Sequence, residues 1–132
     1  IGHGYTYSGH PVGAAAAIAC VTETLRLNVK ENAAERGKQL YEGLQELFAD
    51  FDVIGDVRGG HGLMCALELV SDRDTKTPID KVTPAKLQKA AYENGAMVRV
   101  SGPNVILSPP LIVTSGDVDT ILAALRSGFQ SL

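Results

Sequence analysis

The 132-residue sequence has no tryptophan, and phenylalanine and tyrosine together make up only 5% of it. So few aromatic rings argue against a surface that stacks nucleic-acid bases or cages a cation. There are two cysteines, Cys20 and Cys65, far apart in the chain. They form no disulfide framework and read as free thiols used as small core hydrophobes, which suits a reducing, cytoplasmic setting. His3, His10 and His61 fall at no metal-ligand spacing with each other or with the cysteines, so no metal is expected. No apolar run is long enough to span a bilayer, and the first residues lack the basic-then-apolar pattern of a leader. The net charge of −3 is spread without blocks of one sign. Neither nucleic acid nor an anionic membrane is expected as the main partner.

What is present is the pattern of one globular domain, with 45% hydrophobic and 20% charged residues. Ile18, Val21, Leu25 and Val29 recur at helical spacing after Pro11, which suits a first helical turn; they predict a helix from Pro11 to about Asn28. Leu40, Tyr41, Leu44, Leu47, Phe48 and Phe51 form the apolar stripe of a second helix from about Asn32. Gly37 and Gly43 weaken its intrinsic propensity, so packing must hold it. The period then changes. Val53–Arg58 reads as a short strand, Gly59-Gly60-His61-Gly62 as a bulged connection needing positive φ, and Leu63–Val70 as a central strand. Residues 71–80 read as a polar loop. Thr83 is expected to cap a third helix that begins at Pro84 and ends at Asn94-Gly95. Residues 96–100 and 105–107 make a hairpin around Ser101-Gly102-Pro103-Asn104. Thr114-Ser115-Gly116-Asp117 has capping-box spacing before a last helix carrying Val118, Ile121, Leu122, Leu125 and Phe129. The order α-α-β-β-α-β-β-α gives an α+β class, a mainly antiparallel sheet covered by helices.

Three stretches could carry chemistry. His3-Gly4-Tyr5-Thr6-Tyr7-Ser8-Gly9-His10-Pro11 is a glycine-punctuated loop rich in hydroxyls; such a loop is either a plain turn or a cradle that aims hydroxyl and amide donors at a phosphate. Arg99, at a strand end beside a glycine hairpin, is either a solvated edge charge or a bidentate holder of a carboxylate. Val57-Arg58-Gly59-Gly60-His61-Gly62-Leu63-Met64 lacks the spacing and following helix of a dinucleotide loop and reads as structural. No local feature activates either cysteine as a nucleophile.

Together, the nonamer with the following Pro11-Val12-Gly13-Ala14-Ala15-Ala16-Ala17, the Val57–Met64 run, Met97-Val98-Arg99-Val100-Ser101-Gly102 and Leu107-Ser108-Pro109-Pro110-Leu111 resemble the C-terminal third of class III (ω-type) aminotransferases. The resemblance implies pyridoxal 5′-phosphate as cofactor and transfer of an amino group between an amine or ω-amino acid and a keto acid such as pyruvate. It implies that Tyr5 (amide) and Thr6 (hydroxyl and amide) reach the cofactor phosphate across a homodimer interface, and that Arg99 is the mobile arginine for the substrate carboxylate. It implies residues 1–30 as the phosphate loop and connecting helix, and residues 31–132 as the small C-terminal domain of a fold type I enzyme. The family's Schiff-base lysine precedes this region. Lys30, Lys38, Lys76, Lys81, Lys86 and Lys89 fall on polar helix faces or loops, where no desolvated, activated amine is expected. The chain alone is therefore expected to hold no catalytic residue and to be inactive. Two alternatives stay open at this point: another class III activity (decarboxylase or aminomutase), and a stand-alone, non-catalytic α+β binding or oligomerisation module.

Overall fold

The structure, a computed structural model, describes residues 2–132; Ile1 lies outside them. The elements are α1 (Pro11–Arg26), α2 (Val29–Asp50), β1 (Ile54–Arg58), β2 (Cys65–Asp72), β3 (Thr77–Pro78), α3 (Thr83–Glu93), β4 (Arg99–Ser101), β5 (Asn104–Leu107) and α4 (Ser115–Gln130). The class is α+β. The strands lie in the order β1-β2-β5-β4, with β3 on the far end of β2, and every pairing is antiparallel.

Alternation along the strands decides which face is covered. Val57, Leu67, Leu69, Val105 and Leu107 point inward and are buried. They meet Leu40, Leu44 and Leu47 of α2, Leu87 and Ala91 of α3, and Val118, Leu125 and Phe129 of α4. Burying such side chains stabilises by about 1.5–3 kcal/mol each before entropy is counted. The opposite face carries Asp56, Arg58, Ala66, Glu68, Arg99, Ser101, Asn104 and Ile106, none of which is buried. All three covering helices therefore lie on one side of the sheet.

The helix ends show how local chemistry sets the boundaries. Asn28 adopts the left-handed conformation (φ 48°), which asparagine tolerates, and breaks α1 from α2 at an angle of 61°. Asn32, expected to open the second helix, instead sits in its first turn and donates from Nδ2 to the Leu111 and Val113 carbonyls at 2.8 and 3.0 Å. Thr83 does not cap α3 with its own side chain. Asp80 takes that role, accepting from the Val82 and Thr83 amides at 2.6 and 2.9 Å and from the Thr83 hydroxyl at 2.5 Å. At the other end Gly95 has φ 97°, and its amide and that of Ala96 bond back to Tyr92 and Ala91 in a Schellman turn. The expected capping box at Thr114 and Asp117 is present. The polar loop over residues 71–80 contains the short strand β3, and Arg73 within it donates to the Phe48, Phe51 and Ile54 carbonyls and lies 4.0 Å from the Phe48 ring centroid. One side chain thus closes the end of α2.

One expectation fails here. Cys20 is exposed rather than a core hydrophobe, because α1 has no buried residue at all. Val12, Ile18, Val21 and Leu25 are each more than half exposed. Burial begins at Val29. Cys65 is buried as expected, and that burial pushes its thiol pKa up, which keeps it from acting as a nucleophile. No single described helix is long and apolar enough to cross a membrane.

Candidate functional site

The loop before α1 is held by its own short side chains. The Tyr5 carbonyl accepts from the Ser8 amide at 2.9 Å, and the Ser8 hydroxyl accepts from the Tyr5 amide at 3.0 Å. His3 Nε2 and the Tyr5 hydroxyl are 2.7 Å apart. His10 caps α1, its Nδ1 accepting from the Gly13 amide at 3.1 Å, and Gly9 turns the chain into the helix with φ 75°. Tyr5 and Thr6 are exposed. The Thr6 hydroxyl has no partner among the described residues, whereas the Tyr5 amide already meets an oxygen, that of Ser8. This is a hydroxyl-bearing turn at a helix N-terminus, a setting that favours an anion.

Arg99 lies elsewhere, as the first residue of the edge strand β4. Gln88 of α3 fixes the residue before it, donating to the Val98 carbonyl at 2.9 Å. Val98 is buried, so alternation turns Arg99 onto the open face. There it borders a groove of about 680 Å3 lined by Met97, Ile106, Pro109 and Pro110 among others. The chain has six arginines. Arg26, Arg36, Arg58, Arg73 and Arg126 each contact a carboxylate. Of the six arginines, Arg99 alone has neither an ion pair nor a hydrogen bond among the described residues. No bond links it to the Tyr5–Thr6 loop.

The six lysines are all exposed. None is in the desolvated setting that covalent work by an amine requires. Among the described residues no three His, Cys, Asp or Glu side chains group as a metal site. The Gly59–Gly62 turn is structural, with Gly60 and Gly62 at φ 88° and 81°.

Residues 1–128 match the family model of class III aminotransferases. The chain belongs to the class III aminotransferases. Among similar proteins, the acetylornithine aminotransferase of Thermosynechococcus vestitus is 43% identical over 133 residues, 98% of this chain and 30% of its own length. The taurine–pyruvate aminotransferase of Bilophila wadsworthia is 36% identical over 134 residues, 96% of this chain and 29% of its own. The solved PLP-bound amine transaminase of an uncultivated Pseudomonas species superposes with a TM-score of 0.91 at 43% identity, over 99% of this chain and 30% of its own. The class III chain thus spans less than a third of the length of the relatives it matches. Each relative named here is an aminotransferase or transaminase.

Two contributors were not expected from the sequence. The Ser8 hydroxyl on the Tyr5 amide is one. The other is a polar network around Arg58 on the face that carries Arg99. Its signal was available: Asp56, Arg58 and Glu68 fall at alternate positions on two adjacent strands, facing away from the core.

Proposed function

We propose that this chain is the C-terminal part of a pyridoxal-phosphate-dependent transaminase that moves an amino group between an amine or ω-amino acid and a keto acid such as pyruvate. The observation that carries this reading is Arg99, an uncommitted guanidinium at the rim of an apolar groove in a chain of the class III family. A carboxylate held by a bidentate pair is the ligand such a group fits. The keto acid has a carboxylate, and a simple amine does not.

The loop supplies the second half of the reading. The Thr6 hydroxyl and amide make a donor set suited to a phosphate, and the Tyr5 amide, which the Ser8 hydroxyl now holds, would join them by exchanging that oxygen for one of the phosphate. Bound there, pyridoxal phosphate would supply the electron sink for breaking bonds at the amine carbon. The residues of this chain bind and orient; none abstracts a proton. The covalent lysine lies outside this chain in this reading, so the 132 residues alone are inactive. Residues 1–30 form the phosphate loop and its connecting helix, and residues 31–132 the small domain. The exposure of the loop and of α1 supports donation of Tyr5 and Thr6 across a homodimer interface. The enzyme works in the cytoplasm, in keeping with its unpaired cysteines. The branch of the family, amine transaminase or acetylornithine type, fixes the donor, and the unpaired Arg99 favours a substrate pair that alternates between charged and uncharged.

The deciding experiment is steady-state kinetics of the intact enzyme with pyruvate and an aromatic amine. Arg99→Ala raising KM for pyruvate while leaving that for the amine unchanged is expected. Equal effects on both would make Arg99 a structural edge charge.

A further inference from the structure

The strand registers align four residues in one row across the open face: Arg58 opposite Ala66, Ala66 opposite Ile106, and Ile106 opposite Arg99. The adjacent row is Asp56, Glu68, Asn104 and Ser101. Two arginines thus end one row, and two carboxylates lie in the next. The charges are not shared evenly. Arg58 Nη1 lies 2.6 Å from Glu68 Oε2 and 3.3 Å from Asp56 Oδ2. Its other nitrogen donates to Asn104 Oδ1, and Asn104 Nδ2 donates to the Ser101 carbonyl at 3.3 Å. The turn of the hairpin that carries Arg99 is also tied to β2, where the Leu69 amide donates to the Pro103 carbonyl at 2.9 Å. Arg58 therefore occupies both carboxylates of the face, while Arg99 has none.

Strand spacing puts the Cα atoms of Glu68 and Arg99 about 12 Å apart, two strands over and one row along. An extended arginine and a glutamate together reach across that gap. The face holds Asp56, Glu68, Arg58 and Arg99, which sum to zero; without Arg58 it is negative.

We infer that Arg58 is a positioning residue for substrate: by holding Glu68 and Asp56 it keeps Arg99 free for the carboxylate of the keto acid. The inference rests on the reading of Arg99 given above. Arg58 touches no substrate. It acts by denying Arg99 an internal partner. Without it, Glu68 competes with the keto acid for Arg99, and the negative face repels an incoming carboxylate.

The test is removal of the Arg58 charge in the intact enzyme. Arg58→Gln keeps length and donors but removes the charge, and it is expected to raise KM for pyruvate by roughly two- to fivefold, the scale of a partly exposed pair. The KM for an aromatic amine, which has no carboxylate to compete for Arg99, and the melting temperature should hold. Arg58→Lys should recover most of the pyruvate KM. The deciding variant is Arg58→Gln with Glu68→Gln, which removes the competitor and should return the pyruvate KM to near wild type. If the double variant is as impaired as Arg58→Gln, Arg58 serves only the sheet and the inference falls. It falls equally if Arg58→Gln changes nothing while Arg99→Ala raises the pyruvate KM. An Arg99→Ala enzyme with an unchanged pyruvate KM would remove the reading of Arg99 itself, and this inference with it.

Discussion

Gly37 of α2 lies directly against the Gly62 carbonyl: a Cβ at Gly37 would stand 2.2 Å from that oxygen. The helix can approach the β1–β2 connection this closely only because Gly37 has no side chain there. Gly43, two turns on, has a different neighbour, since its Cβ would meet the Leu122 Cδ1 at 2.2 Å. Backbone cannot step aside and a leucine methyl can. Gly37→Ala is therefore expected to destabilise by about 1–3 kcal/mol, the scale of overpacking. Gly43→Ala should stay within about 1 kcal/mol of wild type, because the helix-propensity gain offsets the shift of Leu122. Urea unfolding of both variants checks this, and equal losses would disprove the distinction.

Arg99→Lys separates a bidentate arginine from a simple point charge. An ammonium keeps the charge but cannot form the planar fork. The lysine enzyme should recover only part of the pyruvate affinity lost in Arg99→Ala. Full recovery in pyruvate KM would mean that charge alone is read at this position.

Thr6→Ala in the intact enzyme should weaken cofactor retention. One hydrogen bond to a charged group contributes about 1.5–3 kcal/mol, so affinity should fall by roughly ten- to a hundredfold. With the loop donated across a dimer, mixed dimers carrying one mutant chain should lose about half their tight sites. Equilibrium dialysis against pyridoxal phosphate reads both numbers. Unchanged retention would rule Thr6 out as a phosphate ligand.

Acid should destabilise the fold through its caps. The Thr114 hydroxyl and then its amide hold the Asp117 carboxyl below the usual carboxylate range. The Thr83 hydroxyl, followed by the Thr83 and Val82 amides, does the same to Asp80. The Thr75 amide and hydroxyl lower Asp72. A carboxyl whose folded pKa is depressed stabilises fully above its unfolded value of about 4, and that stabilisation is lost as pH falls through the folded value. The melting temperature should thus hold from neutral pH to about 5 and drop below about 4. The double variant Asp80→Asn/Asp117→Asn should flatten this acid limb. An unchanged limb would place the acid sensitivity elsewhere.

The sequence made the covered half of the molecule readable, because its apolar residues repeat at the periods of helices and strands. Leu40, Leu44 and Leu47, and the capping box of Thr114 and Asp117, stood where those periods put them. The borders were harder to read. Asp80 displaced Thr83 as the cap because a carboxylate two to three residues upstream accepts two amides at once, which no helical period reveals. Arg73 looked like one more loop charge, yet its partners are three carbonyls that only the folded chain brings together. At the candidate site, the Tyr5–Thr6 loop and Arg99 stood out in the sequence as motifs. Their surroundings did not: the row that sets Arg58 and Arg99 at its two ends needs the register of four strands, which depends on long-range pairing.

The sixteen residues of α1 bury none of their side chains. A helix of that length is near the limit at which it holds together in water unaided. Its order is therefore borrowed from whatever lies against it, and so is the order of the loop it follows. Residues 29–132 should exchange their amide hydrogens as one slow cooperative unit, while α1 exchanges close to the rate of an open chain. Any group gripped by Thr6 is then thermodynamically linked to the contact that covers Ile18, Val21 and Leu25: strengthening one strengthens the other.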